Sequence, residues 1–256
     1  MSAATEARDI AAAAARLLER IRSARPRVHV LTNAVAMNIS ANVLLAVGAV
    51  PSMTFRAETV HEFVAGARAL VVNLGMLDAE REAAIPRAVA TAGERGLPWL
   101  LDPVKVERSA IRRRFATGLL GEGPAVLRAN REEIAVLAGS TPDPAGGLAG
   151  RFGCVVAATG DVDVVTDGSR AVRIANGSPL MDRVTAMGCS LSALLGAFLA
   201  VTEDRFEATC AGVLAFDVAG ELAAERARGP GSFQVALLDA LFALDGDSLR
   251  ERARTT

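Results

Sequence analysis

Residues 69–103, ALVVNLGMLDAEREAAIPRAVATAGERGLPWLLDP, decide the fold. Two short apolar runs, ALVVNLG at 69–75 and LPWLLDP at 97–103, bracket AEREAAIPRAVATAGERG, whose apolar residues recur at helical spacing. A strand, a crossover helix and a second strand are the unit from which parallel sheets are built. The same alternation extends in both directions. Upstream, VHVL at 28–31 precedes the helix-like ISANVLLAVG. Downstream come a helical stretch at 107–120, AVLRAN at 125–130, a helix at 131–138 and CVVAATG at 154–160. The pattern then changes: VDVVT at 162–166 and AVRIA at 171–175 flank Asp167-Gly168-Ser169, a hairpin signal that appends antiparallel strands. Long helices follow. The expected class is α/β, a three-layer sandwich with a mostly parallel central sheet and helices on both faces.

Within this scheme GSTPDPAGGLAGRFG at 139–153 stands out as too short and glycine-rich for a full helical crossover, although the strands on either side require one. The N-terminal stretch reads as an amphipathic helix over about residues 5–22, because Glu6, Arg8 and Asp9 precede its alanines and Arg16, Glu19 and Arg20 interrupt them, unlike a signal peptide. No repeat and no Pro/Gly/Ser linker divides the chain, so residues 1–256 are expected to form a single domain.

Composition narrows the function. Of 256 residues, 51% are hydrophobic and 22% charged, which excludes a disordered chain. The 28 Lys and Arg nearly cancel the 29 Asp and Glu, so no net basic field holds a nucleic-acid backbone. No apolar stretch approaches the roughly 20 residues that span a bilayer, and a soluble protein is expected. Cys154, Cys189 and Cys210 show neither Cys-x-x-Cys spacing nor a nearby His, which suits a reducing, cytoplasmic setting. Lys105 is the single lysine, so the Gly-Lys-Ser/Thr signature of a P-loop is absent.

Ligands of open parallel sheets sit beyond the carboxyl ends of the strands. The polar residues there are Thr32-Asn33, Asn73, Asp102, Arg128 with Asn130, and Thr159-Gly160-Asp161. Asn130 and Glu133 have the spacing of a helix capping box, which is the simpler reading, while a carboxylate facing a strand-end cleft also suits Mg²⁺. Asp102 supplies a second carboxylate. Val184-Thr185-Ala186-Met187-Gly188-Cys189-Ser190 runs into the apolar SLSALLGAFLAV, and such a helix start offers free amides that hold phosphate and lower a thiol pKa. Plain packing of Cys189 is the alternative. His29 and His61 lack metal spacing and read as structural.

These residues, taken in order, resemble the hydroxyethylthiazole kinase family. The matches are Val28-His29, Leu31-Thr32-Asn33, Met37-Asn38, Asn42 through Pro51-Ser52-Met53, Asn73-Leu74-Gly75 and Leu101-Asp102-Pro103-Val104. They continue with Arg128-x-Asn130-x-x-Glu133-Ile134, Ala158-Thr159-Gly160-x-Val162-Asp163, Asn176-Gly177, Val184-Thr185, Gly188-Cys189 and Gly229-Pro230-Gly231-Ser232-Phe233-Gln234, so that they span 28 to about 245. The resemblance implies a ribokinase-like fold, Mg²⁺-ATP, and transfer of the γ-phosphoryl group to the hydroxyethyl group of 4-methyl-5-(2-hydroxyethyl)thiazole in thiamine salvage. It implies a homotrimer with active sites at subunit interfaces. Carried over by position, Arg128 and Thr159 bind ATP, Asp102 and Glu133 lie near the metal, and Met53 and Asn33 line the thiazole pocket with Ala186. Ala186, Met187, Gly188 and Cys189 form the anion site, with Cys189 standing where other ribokinase-like enzymes have an aspartate base.

Four departures qualify the resemblance. Ala186-Met187 replaces the family's Gly-small pair, Lys105 follows Asp-Pro-Val in place of glycine, Ala129 stands between Arg128 and Asn130 where the family has glycine, and 139–153 is shortened. A related small-alcohol kinase, or a non-catalytic homologue with a degraded anion site, is the alternative.

Overall fold

A computed structural model describes residues 3–256. After helix α1 (Ala3–Ala24) the chain lays down β1 (Arg27–Leu31), α2 (Met37–Ala46), β2 (Val50–Ser52), α3 (Val60–Ala65), β3 (Ala69–Asn73), α4 (Ala79–Glu94) and β4 (Trp99–Asp102). It continues with α5 (Ala110–Gly121), β5 (Val126–Asn130), α6 (Arg131–Ala138), α7 (Pro144–Phe152), β6 (Val155–Thr159) and the hairpin β7 (Asp163–Thr166) and β8 (Ala171–Ile174). A 3₁₀ turn (Met181–Arg183) leads into α8 (Met187–Leu199), α9 (Arg205–Arg226), α10 (Pro230–Ala243) and α11 (Gly246–Arg252). The single sheet has the order β2-β1-β3-β4-β5-β6-β7-β8, parallel through β6 and antiparallel at β7 and β8.

Strands β1 and β3–β6 are largely buried on both faces, and their period-two alternation sends successive side chains into two cores. Ala69 and Val71 join α1, α2 and α8–α11 on one face, whereas Leu70 and Val72 join α3–α7 on the other. The expected sandwich is therefore present, with the hairpin appended as anticipated. Among the described residues no helix is long and apolar enough to cross a membrane.

The stretch 139–153 corrects the sequence reading, because it does contain a helix. Asp143 caps α7 by accepting the Gly146 amide at 3.1 Å, Pro144 fills the first turn, and Gly153 stops the helix in the left-handed conformation at φ 62°. Leu148 and Ala149 are buried against the sheet, so good end signals and an apolar anchor outweigh the low helix propensity of three internal glycines. Two short helices, α6 and α7, together make the crossover. The helix expected from 107 begins later, because Ser109 is its cap and accepts the Arg112 amide at 3.3 Å.

Candidate active site

The carboxyl ends of β1, β3, β4, β5 and β6 meet the N-terminus of α8 along one edge of the sheet. Parallel register sets Asn73 beside Asp102 and Asn130 beside Thr159. Just past β1, Asn33 turns the chain into α2, its Oδ1 accepting the Val35 and Ala36 amides at 3.1 Å each. Its Nδ2 donates to Asn73 Oδ1 at 3.0 Å. Asn73 Nδ2 in turn donates to Asp102 Oδ2 at 2.7 Å and faces Cys189 Sγ at 3.2 Å. Ser192, three residues along α8 from Cys189, also donates to Asp102 Oδ2, at 2.8 Å. The buried Asp102 Oδ1 has no hydrogen-bond partner, and Arg128 Nη1 lies 3.7 Å from it. Arg128 Nη2 donates to Thr159 Oγ1 at 2.8 Å.

Gly188 makes this arrangement possible. A Cβ there would lie 2.5 Å from both terminal nitrogens of Arg128, so the guanidinium occupies the volume a side chain would need. Arg128 is thereby clamped between the start of α8 and Thr159.

Cys189 departs from the expectation of an activated thiol. Burial, followed by the neighbouring Asp102 charge, raises its pKa to about 11, although Arg128, Asn73 and Asn33 act the other way. Desolvation outweighs the helix start, so the side chain is a thiol at neutral pH. Ala186 adopts the left-handed conformation that its position demands, at φ 65° and ψ 16°, despite its methyl group. Met187 packs into the core and also forms part of a cavity wall.

Glu133 forms the capping box expected of it. Its Oε2 accepts the Asn130 amide and Asn130 Oδ1 accepts the Glu133 amide, each at 2.9 Å, which completes the capping box. Oε1 accepts the amide of Lys105 at 2.7 Å, where the chain has φ 63°. Burial raises the Glu133 pKa, partly offset by these two amides, while the Asp102 charge adds to the rise. The two carboxylates thus feel one another. The orphaned Asp102 Oδ1 fits a hard cation completed by phosphate and water oxygens, and among the described residues no cluster of three ligating side chains exists to cage one.

Beyond Arg128 and Gly188 opens a cavity of about 460 Å³. Thr159, Gly160, Asp163, Gly177, Met187 and Asp217 help to form its walls. Asn33, Asn73, Asp102 and Cys189 lie outside its lining and form a polar cluster that meets the cavity at Arg128. Met53 belongs to neither. It follows β2, half-buried, and the flanking residues are pinned by His29, whose Nδ1 pairs with Ser52 Oγ at 2.9 Å and whose Nε2 pairs with the Thr54 carbonyl at 3.1 Å.

Sequence reasoning placed Asn73 at a strand end without giving it a role, and it missed Ser192. The i, i+3 spacing of Cys189 and Ser192 on one helix was the available signal. Asp217 was also missed, though a carboxylate inside the apolar run of α9 was visible.

The fold is that of the ribokinase-like α/β proteins. A ribokinase-like superfamily protein from Enterococcus faecalis superposes with a TM-score of 0.67 at 15% identity, covering 86% of this chain and 88% of its own, which speaks to the fold alone. Residues 18–247 match the hydroxyethylthiazole kinase family. Hydroxyethylthiazole kinases from Granulibacter bethesdensis and Rhizobium etli are each 47% identical over 256 residues, covering 93% and 94% of this chain and 92% and 99% of theirs. The structure of the hydroxyethylthiazole kinase protein from Pyrococcus horikoshii superposes with a TM-score of 0.92 at 39% identity over 95% of this chain and 98% of its own. The chain belongs to the hydroxyethylthiazole kinase family.

Proposed function

We propose that this protein transfers the γ-phosphoryl group of ATP to the primary hydroxyl of 4-methyl-5-(2-hydroxyethyl)thiazole, the salvage step for the thiazole half of thiamine. The observation that carries the reading is the junction at Arg128, where a strand-end polar cluster holding Cys189 abuts the cavity bounded by Thr159. Each side of the junction then has an occupant: the nucleotide in the cavity, and the alcohol on the Cys189 side.

Phosphoryl transfer depends on positioning and on stabilising charge more than on a strong base. Arg128 and Thr159 bind the phosphates, and the amides at the start of α8, from Ala186 to Cys189, face the transferring group. Cys189 Sγ accepts a hydrogen bond from the substrate hydroxyl and aims its oxygen. A neutral thiol suffices for that, because the alcohol proton is lost late in a loose transition state. Asn73 and Ser192 fix Asp102, whose free Oδ1, with Glu133 nearby, would hold Mg²⁺. That ion, when bound, neutralises charge on the phosphates. Met53 and Asn33 contribute to the thiazole side together with Ala186.

We further propose a homotrimer whose interfaces complete the thiazole pocket. Val35 and Leu45, at 55% and 56% exposure, leave apolar surface at the Met37–Leu45 face beside Asn33. An ADP-release assay with the thiazole alcohol tests the activity. Turnover that requires the alcohol is expected, and ATP hydrolysis indifferent to it overturns the reading.

A further inference from the structure

The middle of α9, ATCAGVLAFDVAG at 208–220, carries one charged residue, Asp217. It is buried in the cavity wall, its Oδ2 has no hydrogen-bond partner, and among the described residues no basic side chain forms a salt bridge with it. Leaving a buried carboxylate so poorly compensated costs several kcal/mol, and proteins avoid it by retaining the proton. Asp163, at the start of β7, lies within hydrogen-bond reach of Asp217. Two ionised carboxylates offer only acceptors, so a bond between them needs one proton.

The surroundings say which residue holds it. Burial raises the Asp163 pKa too, but the Gly160 amide, donated to its Oδ1 at 2.8 Å, and the Arg128 and Arg131 charges work against that rise. Asp217 faces Asp163 and Glu221, whose charges raise its pKa further above what burial alone imposes, with Arg128 opposing them.

We propose that Asp217 is a positioning residue of the nucleotide cavity: it keeps a proton, donates it to Asp163, and so fixes the Gly160 amide beside Thr159, making nucleotide binding dependent on that proton. The inference rests on the cavity being the nucleotide site. Loss of the proton would place a second negative charge in a wall that faces a polyanion and would part the two carboxyls. The charged groups around the pair are Arg128 on β5, Arg131 on α6, Asp161 in the β6–β7 turn, Asp182 in the 3₁₀ turn and Glu221 one turn along α9. Nucleotide affinity should therefore fall as pH rises, by up to about tenfold per unit once the pair titrates.

Calorimetric binding of a non-hydrolysable ATP analogue between about pH 7.5 and 9.5, above the titration of its own phosphates, tests this. Asp217→Asn keeps a donor for Asp163 but cannot ionise. It should bind as the parent does at the lower pH and lose the alkaline decline, whereas Asp217→Leu should bind more weakly throughout. An Asp217→Asn profile that follows the parent's at every pH overturns the inference. Arg128→Met tests the cavity assignment separately: unchanged affinity in that variant would remove the nucleotide from the cavity, whatever the Asp217 variants do.

Discussion

Cys189 shows how a residue singled out by its neighbours in sequence takes its chemical state from neighbours in space. A helix start argues for a thiolate; burial among Asn33, Asn73 and Asp102 makes it a thiol. Under the proposed function its work is to orient the alcohol. Cys189→Ala should lower turnover about tenfold, the value of a hydrogen bond made at the reacting centre, with the melting temperature nearly unchanged. Cys189→Asp should retain or raise turnover, since Asn33 and Asn73 are placed to donate to a carboxylate. Steady-state kinetics of both variants decide the matter; equal rates in all three proteins would leave Cys189 structural.

His29 carries a second consequence at this scale. Burial lowers its pKa to about 4, so the unfolded chain binds a proton more readily than the native one. Stability contributed by the neutral ring is complete above the unfolded value near 6.5 and is lost as pH falls through the folded one. Between about pH 7 and 5 the loss should reach about 2 kcal/mol, read from urea unfolding. His29→Gln retains a donor for the Thr54 carbonyl and should flatten that part of the curve. Nothing in the sequence around His29 announced this, because the partners Ser52 and Thr54 arrive at the end of the adjacent strand β2 and just beyond it.

At the level of elements, the alternation of apolar runs and helical spacing was enough to read β1, β3, β4, β5 and β6, because strands buried on both faces must be continuously apolar. The edge strand β2 and the short helix α3 escaped notice. Val50-Pro51-Ser52 is only three residues long and half-buried, and it becomes a strand through pairing with β1. Helix α7 was misread for a related reason: glycine content was weighed without the Asp143-Pro144 start and the Gly153 stop. The structure makes Leu148 the anchor of that helix. Leu148→Ala should cost about 3 kcal/mol by creating a cavity under α7, measured by chemical denaturation. A cost below about 1 kcal/mol would mean the crossover is held by its caps instead.

For the whole molecule, the strand-end residues came through legibly because a parallel sheet lines them up in one row, whereas the Asp163–Asp217 pair depends on packing between α9 and the hairpin. Asn33, Asp102, Arg128, Glu133, Thr159 and Cys189 converge as their order along the chain suggested. Met53 does not join them within one subunit, and the proposed trimer would supply a reason. Light scattering should give three times the chain mass, and Leu45→Glu should yield monomers that bind the nucleotide analogue but phosphorylate the thiazole alcohol poorly. A parent that is a fully active monomer would contradict the shared pocket.

The two margins of the sheet bear on how such an assembly is built. On one side β2 is three residues long and contains Pro51, which has no amide hydrogen to offer. On the other, Arg173 and Thr256 exchange backbone hydrogen bonds of 2.7 and 2.9 Å, and Thr255 bridges to Ile174, so the last residues of the chain cover β8. Neither margin offers a long open ladder for another chain to extend. Copies of this protein are consequently steered away from growing into continuous sheets and fibres, and their contacts are left to helix surfaces and loops, whose geometry permits a closed ring of defined size.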